Sequence, residues 1–458
     1  MTLSTAAKAD VPWRSDVIGV SYAQLEADYW LQKLPQQAQP LMSQEQIKAF
    51  NQQLVTTNPD VVDPLSYFPA SLDKNSLIKL VESISSVPSS ERFYADGASV
   101  SQADFKTYQD NLALDQIKNA NPVRYGIAVA RDILRTFPTH ERVFNRGMDT
   151  DLDRFQETGI FPGDPVAVLH ASRDNQWYLV QNYHYLAWVP QSSIALGDKQ
   201  TIGEFHQAEP FVVVTGSKVF TNYVPEQPAI SELQLDMGTR LPLVKANELP
   251  NQLYGQNPYA SYTVRLPVRN EQGQLEIKMA LIARGQDLHL GYLDFTHRNI
   301  IKQAFKFLGE RYGWGHDYNA RDCTGFVGDI YKTFGFMMPR NTGQQDKADY
   351  GQNNRFDKQA DTQQKMAVIE QMKVGDLIYI PGHVMMYLGE DNGQPYIIHD
   401  VKGLGYMDDS GNMYHGTLNG VSVTPLLPLR LSAKTRYVDR IDNIKRIGGV
   451  KFSPAQPH

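Results

Sequence analysis

The sequence predicts a multidomain chain: a helical N-terminal segment, two small β-barrels, and a C-terminal α+β domain. Three observations predict it. At 458 residues the chain exceeds what one hydrophobic core ordinarily serves. Up to residue 126 apolar residues recur at helical spacing, whereas from 127 to 292 they fall in short β-branched and aromatic runs broken by turn residues. From 293 the two patterns mix.

In the N-terminal segment (1–126), "SQEQIKAFNQQLV" (43–55) offers a serine cap with a glutamate close behind, then Ile47, Phe50 and Leu54 on one face. "SLDKNSLIKLVESI" (71–84) and "SQADFKTYQDNLAL" (101–114) repeat that logic, and prolines at 59, 64, 69 and 88 punctuate them. The runs "IAVARDILRTFPT", "DPVAVLHASRDNQWYLVQNYHYLAWVPQSSIAL" and "PFVVVTGSKVFTN" begin the β region, and "TRLPLVKAN" with "SYTVRLPVRNEQGQLEIKMALIARGQDLHLGYL" completes it. A division in "ALGDKQT" gives barrels at 127–197 and 198–292. In 293–458, "RNIIKQAFKFLGERYGWG" and "CTGFVGDIYKTFGF" are predicted helices. A long polar stretch (340–365) follows, then the strands "DLIYIPG", "HVMMYLG", "PYIIHDV" and "VSVTPL".

The net charge of −6, with no Lys/Arg-rich run, argues against a nucleic-acid binder. No stretch approaches the eighteen or so apolar residues of a membrane span. "MTLSTAAKADVPWRSDVIGV" lacks a basic head followed by an apolar core, so the expectation is either a cytosolic protein or an envelope protein whose export signal has been removed. A single cysteine excludes an intramolecular disulfide framework and a multi-thiolate zinc site.

That cysteine, Cys323, begins a helix directly after Asp322, a natural N-cap. Free N–H groups and the helix dipole favour a thiolate there. A nucleophile also needs a base and a group that orients the base. His383 opens one strand and His399 closes its hairpin partner, with "EDNGQ" between them. A three-residue loop, Asp391–Asn392–Gly393, would set 399 opposite 385 and bring both imidazoles to one face; a two-residue Asn-Gly loop would separate them. The plain alternative is that Cys323 is a small buried apolar residue and each histidine a half-buried strand end.

"RYGWGHDYNARDCTGFVGDIYKTFGFMMPRNTGQQ", "VGDLIYIPGHVMMYLG" and "IIHD", in that order, resemble the NlpC-type family of bacterial cell-wall cysteine peptidases. "SRDNQWYLV" and "LRTFPT" resemble the first of two SH3-like barrels in a multidomain subgroup whose barrels follow an N-terminal stabilising segment. The resemblance implies a papain-like cysteine peptidase domain in which Cys323 is the nucleophile, His383 the base and His399 its orienting partner. It also implies that Asp322, Thr324, Tyr312 and Thr342 line a pocket for a free N-terminal L-Ala. Thr324 and Thr342 depart from the family's serines, each adding a methyl that tightens the pocket. Ser172 and Asp174 would border the cleft from the first barrel, unless Trp177 is barrel core and Arg173–Asp174 a turn. Arg340 fixes its loop, and "GHDYNARD" has the wrong acidic spacing for calcium.

The implied reaction is hydrolysis of the γ-D-glutamyl–diamino acid amide of a peptidoglycan stem peptide or murein fragment, by a monomer, with no metal or organic cofactor. Two rivals remain: a cysteine amidase or acyltransferase on another amide or lipid, and a non-catalytic wall-binding protein.

Overall fold

The computed structural model describes residues 12–36, 39–449 and 451–452. The first eleven residues, where the export-signal reading begins, lie outside them. Helix α1 (Gln44–Thr57) starts at Ser43, whose hydroxyl accepts from Gln46 N while the Gln46 side chain accepts from Ser43 N; the reciprocal pair closes through Gln46 rather than Glu45. Helix α2 (Lys74–Ile84) is capped by Asp73, because residues 71–73 are extended and pair with 120–122. Helix α3 (Gln102–Asn111) is capped by Ser101 with Asp104. The segment serves two cores. Ile47 and Leu54 of α1 pack with Phe295 and Phe336 of the C-terminal region, while Leu77, Val81, Phe105 and Tyr108 pack with Trp177 and Trp188.

Strands β1 (Arg124–Ala128), β2 (Asp132–Arg135), β3 (Gln156–Ile160), β4 (Pro165–Ala171), β5 (Trp177–Gln181), β6 (Leu186–Pro190) and β7 (Ile194–Gly197) form one antiparallel sheet in the order β3-β2-β6-β5-β4-β1-β7. Helix α4 (Lys199–Gln207), capped by Asp198, follows where only strands were expected. Beyond it lie β8 (Phe211–Val214), β9 (Lys218–Phe220), β10 (Gln234–Asp236), β11 (Arg240–Pro242), β12 (Ser261–Arg269), β13 (Leu275–Ala283) and β14 (Leu288–Leu290) in three small sheets. They share a core of Val212, Val214, Leu241, Val264 and Ile282.

The C-terminal part contains α5 (His297–Phe305), α6 (Cys323–Lys332) and α7 (Thr342–Lys347). Its sheet is built from β15 (Gln352–Arg355), β16 (Leu377–Ile380), β17 (His383–Asp391), β18 (Gln394–Met407), β19 (Met413–Pro425) and β20 (Asn443–Arg446), ordered β15-β20-β16-β17-β18-β19. Helix α6 buries Phe326, Val327 and Ile330 against Val384, Met386, Ile398 and Val423 of the sheet; each such side chain contributes about 1.5–3 kcal/mol. The polar stretch is structured: its first part forms α7 and β15, because polar side chains there find partners. Asn443 Nδ2, for one, donates to Asn353 Oδ1 at 2.8 Å.

The β17–β18 hairpin takes the shorter of the two loops. Asp391 pairs with Gln394, so the loop is the two-residue Asn392–Gly393. Between Tyr387 and Gly389 the register shifts by one residue, a β-bulge at Leu388, after which Met386 faces Ile398. Continued one step, this register sets His399 opposite Met385, as a three-residue loop would have done. The extra residue sits in the strand, not the turn.

Candidate active site

Cys323 is the first residue of α6, and its carboxylate neighbour caps the helix: Asp322 Oδ1 accepts from Gly325 N at 2.9 Å. The sulfur is near enough to the sheet for the backbone of Val384, one residue beyond His383, to act on it. Thr342 Oγ1, at the start of α7, lies 3.9 Å from Sγ. The thiol is 6% exposed. Burial, then the charge of Asp322, pushes it up to about 12, against the lowering pull of Val384 N–H and Thr342. Burial thus opposes the ionised form that the helix N-terminus favours.

His383 Nε2 and His399 Nδ1 are 2.9 Å apart, and His399 Nε2 lies 3.0 Å from Thr424 Oγ1. Burial holds His383 down to about 4 and His399 well below the ordinary imidazole value, so both are neutral near pH 7. With the His399 proton on Nε2, donated to Thr424, Nδ1 accepts from His383 Nε2–H. That arrangement leaves His383 Nδ1 as a free acceptor.

Asp322 is fully committed. Its other oxygen accepts from Gly315 N at 3.0 Å and from Arg340 Nη2 at 2.7 Å, and Thr324 Oγ1 donates to Oδ1 at 3.0 Å. Burial alone would raise its carboxyl; the Arg340 guanidinium outweighs this and holds it at about 2. Arg340, itself buried, also bonds Thr324 Oγ1 and, through Nε at 2.6 Å, Thr158 Oγ1 of β3. The buried Tyr312 is raised by burial and then by Cys323, Asp322 and Asp400, which places its phenol among these groups.

Ser172 and Asp174 hydrogen-bond within their own turn and to the end of α3. Ser172 Oγ donates to Asp174 Oδ1 at 2.5 Å, Asp174 Oδ2 accepts from Asn111 Nδ2 at 3.1 Å, and Trp177 is buried core. This β4–β5 turn is pinned to the end of α3. The β sheet meets the sulfur's surroundings through β3 instead: Gln156 Nε2 donates to Gly315 O at 2.7 Å, and Trp314 Nε1 donates to Gln156 O at 3.0 Å. Gly159 permits the approach, since a Cβ there would stand 3.0 Å from His316 Cβ.

Three groups escaped the sequence reading. Tyr185 donates its hydroxyl to Glu157, and Asn341, the residue before Thr342, acts on the same phenol, so this tyrosine and carboxyl lie near the start of α7. Glu157 is raised by burial. Asp400, next to His399, is completely buried with neither oxygen hydrogen-bonded among the described residues. Only the position of Asp400 beside His399 was visible in the sequence.

A thiol at a helix start, near an antiparallel sheet that carries a coupled imidazole pair, is an arrangement suited to nucleophilic acyl transfer. Comparison with known proteins is more particular. Residues 309–423 match the NlpC/P60 family and residues 138–190 an SH3 domain of the SH3b1 type. The chain thus carries an SH3 domain of this type followed by an NlpC/P60 domain. It is 27% identical over 220 residues to a gamma-D-glutamyl-L-lysine dipeptidyl-peptidase of Bacillus cereus (strain ATCC 10987 / NRS 248), covering 45% of this chain and 55% of that protein. A protein of the same name from Bacillus subtilis (strain 168) is 31% identical over 103 residues, 20% of this chain and 30% of that one. The chain thus spans about half or less of these relatives' lengths. In fold it is similar to an NlpC/P60 endopeptidase from Photobacterium damselae subsp. piscicida, with TM-score 0.70 and 19% identity over 87% of this chain and 90% of that one.

Proposed function

We propose that the protein is a cysteine peptidase that hydrolyses the γ-D-glutamyl–diamino acid amide of peptidoglycan stem peptides bearing a free N-terminal L-Ala. The observation that carries the reading is the thiol at the start of α6, acted on by Val384, the neighbour of His383 in the His383–His399–Thr424 chain. His383 Nδ1 takes the thiol proton as Sγ attacks the γ-carbonyl. The Cys323 backbone N–H, at the open end of α6, donates to the developing oxyanion; one such donor is worth about 3 kcal/mol. His383 then protonates the leaving amine, and water hydrolyses the thioester by the reverse proton path. His399 positions His383 and adds no buried charge.

Because Asp322 is neutralised by Arg340, the carboxylate left to meet the substrate ammonium is Glu157, with Tyr185 beside it. Tyr312, Thr324 and Thr342 shape the same pocket. The names of the two Bacillus relatives support the γ-D-glutamyl bond. We also read 127–197 and 198–292 as paired SH3-like barrels, 1–126 as their stabilising segment and 293–458 as the peptidase domain. The chain acts as a monomer in the cell envelope. The test is hydrolysis of L-Ala-γ-D-Glu-diaminopimelate and its L-Lys counterpart by wild type and Cys323→Ala. Equal rates would refute the proposal.

A further inference from the structure

Away from the sulfur, a cavity of about 810 Å³ opens where the end of α1, the β3–β4 turn, α4 and the C-terminal end of α6 meet. Its walls include neither Cys323 nor either histidine of the pair. It is within the size range of small-molecule sites, and its walls are mainly apolar, Phe161, Phe336 and Met337 among them.

Polar groups in it are underused. Lys332 closes α6 with its side chain 18% exposed; its ammonium lies 3.6 Å from Asp329 Oδ1 and over the rings of Phe161 (5.1 Å) and Tyr183 (5.5 Å). Asp329 is already engaged by Arg321 Nε at 2.7 Å. The Lys332 ammonium engages Asp329, a carboxylate it shares with Arg321, and among the described residues the Tyr183 hydroxyl makes no hydrogen bond. Asp164 uses one oxygen, which accepts from Phe161 N at 3.0 Å. An ammonium and a hydroxyl presented together to an apolar hollow are the donor pair a carboxylate needs.

We propose that this cavity is a second ligand site, which takes a small carboxylate with an apolar body. The carboxylate accepts from Lys332 Nζ and Tyr183 Oη, and the body lies against Phe161, Phe336 and Met337. The free oxygen of Asp164 accepts an N–H next to the carboxylate. The site lies about 14 Å from Cys323 along α6, at ~1.5 Å per residue. The β3–β4 turn that carries Phe161 is continuous with Thr158, which holds Arg340. A bound ligand would clamp the two elements that position the sulfur. That coupling rests on the proposed peptidase reading; the site does not.

The experiment is a fluorescence titration of the full chain with dansylglycine, using dansylamide as the control without a carboxylate. Saturable one-to-one binding is expected, about tenfold or more weaker for dansylamide, since a charge-assisted pair is lost. Lys332→Met should weaken dansylglycine about tenfold and Tyr183→Phe about threefold, while Cys323→Ala binds as wild type does. Tyr183→Phe keeps the ring and decides the matter if Lys332→Met does not fold. Absence of saturable binding, equal affinity for dansylamide, indifference to Tyr183→Phe, or loss of binding in Cys323→Ala would each overturn the proposal. None of these readouts depends on peptidase activity.

Discussion

Replacing Arg340 with methionine should destabilise the protein by about 2–4 kcal/mol at neutral pH. The guanidinium is 3% exposed and serves Asp322, Thr324 and Thr158 at once. Its removal strands a carboxylate that is 7% exposed. Three other donors, Gly315 N, Gly325 N and Thr324 Oγ1, remain on that carboxylate, which puts the cost below that of a wholly abandoned charge. Holding Asp322 at about 2 rather than near 3.9 is itself worth about 2–3 kcal/mol. The sign follows from a depressed carboxyl. The contribution is complete above about pH 4 and is lost as pH falls from there through about 2, so the variant's deficit should shrink in acid. Urea unfolding at pH 7 and pH 3, with Asp322→Asn and the double variant completing a cycle, measures it. A deficit below about 1 kcal/mol at pH 7, or one unchanged in acid, would show that the pair is not what holds the loop.

Other outcomes follow from the same geometry. With His383 at about 4, the acid limb of kcat/KM should lie near pH 4 because protonation removes the base; a limb at 6 or above contradicts a desolvated imidazole. Glu157→Gln should raise KM about tenfold for peptides with a free N-terminus and leave N-acetylated peptides unaffected; equal effects on both would remove Glu157 from amine recognition. Deleting Leu388 abolishes the bulge and turns His399 to the other face. Turnover should fall about 10²–10⁴-fold with the circular dichroism spectrum retained, and normal turnover would mean that register does not place the pair.

The helices of the N-terminal segment were legible because caps and apolar spacing are local: Ser43, Ser101 and the faces of α1 and α3 are set within a dozen residues. The position of Cys323 at a helix start was legible for the same reason. The hairpin was not, since a bulge depends on what both strands pack against. Its trace is Gly389, whose φ of 145° suits glycine and which faces Trp30 from the distant N-terminal segment. Likewise "SRDNQW" drew attention as a turn, yet β3 supplies the contacts, because docking is decided by surfaces far apart in sequence.

The resting state of the sulfur bears on why a peptidase of this design would demand a free amine. A thiol that burial pushes up to about 12 does not readily give its proton to an imidazole that burial holds down to about 4. The field of Asp322 is cancelled in part by Arg340, but the carboxyls of Glu157 and Asp400 add no positive charge near Cys323. A substrate ammonium brings one. At about 6 Å and an effective dielectric of about 20 it stabilises a thiolate by roughly 3 kcal/mol, or about two pK units. On this reading recognition and activation are one event, and blocking the amine by acetylation should lower kcat as well as raise KM.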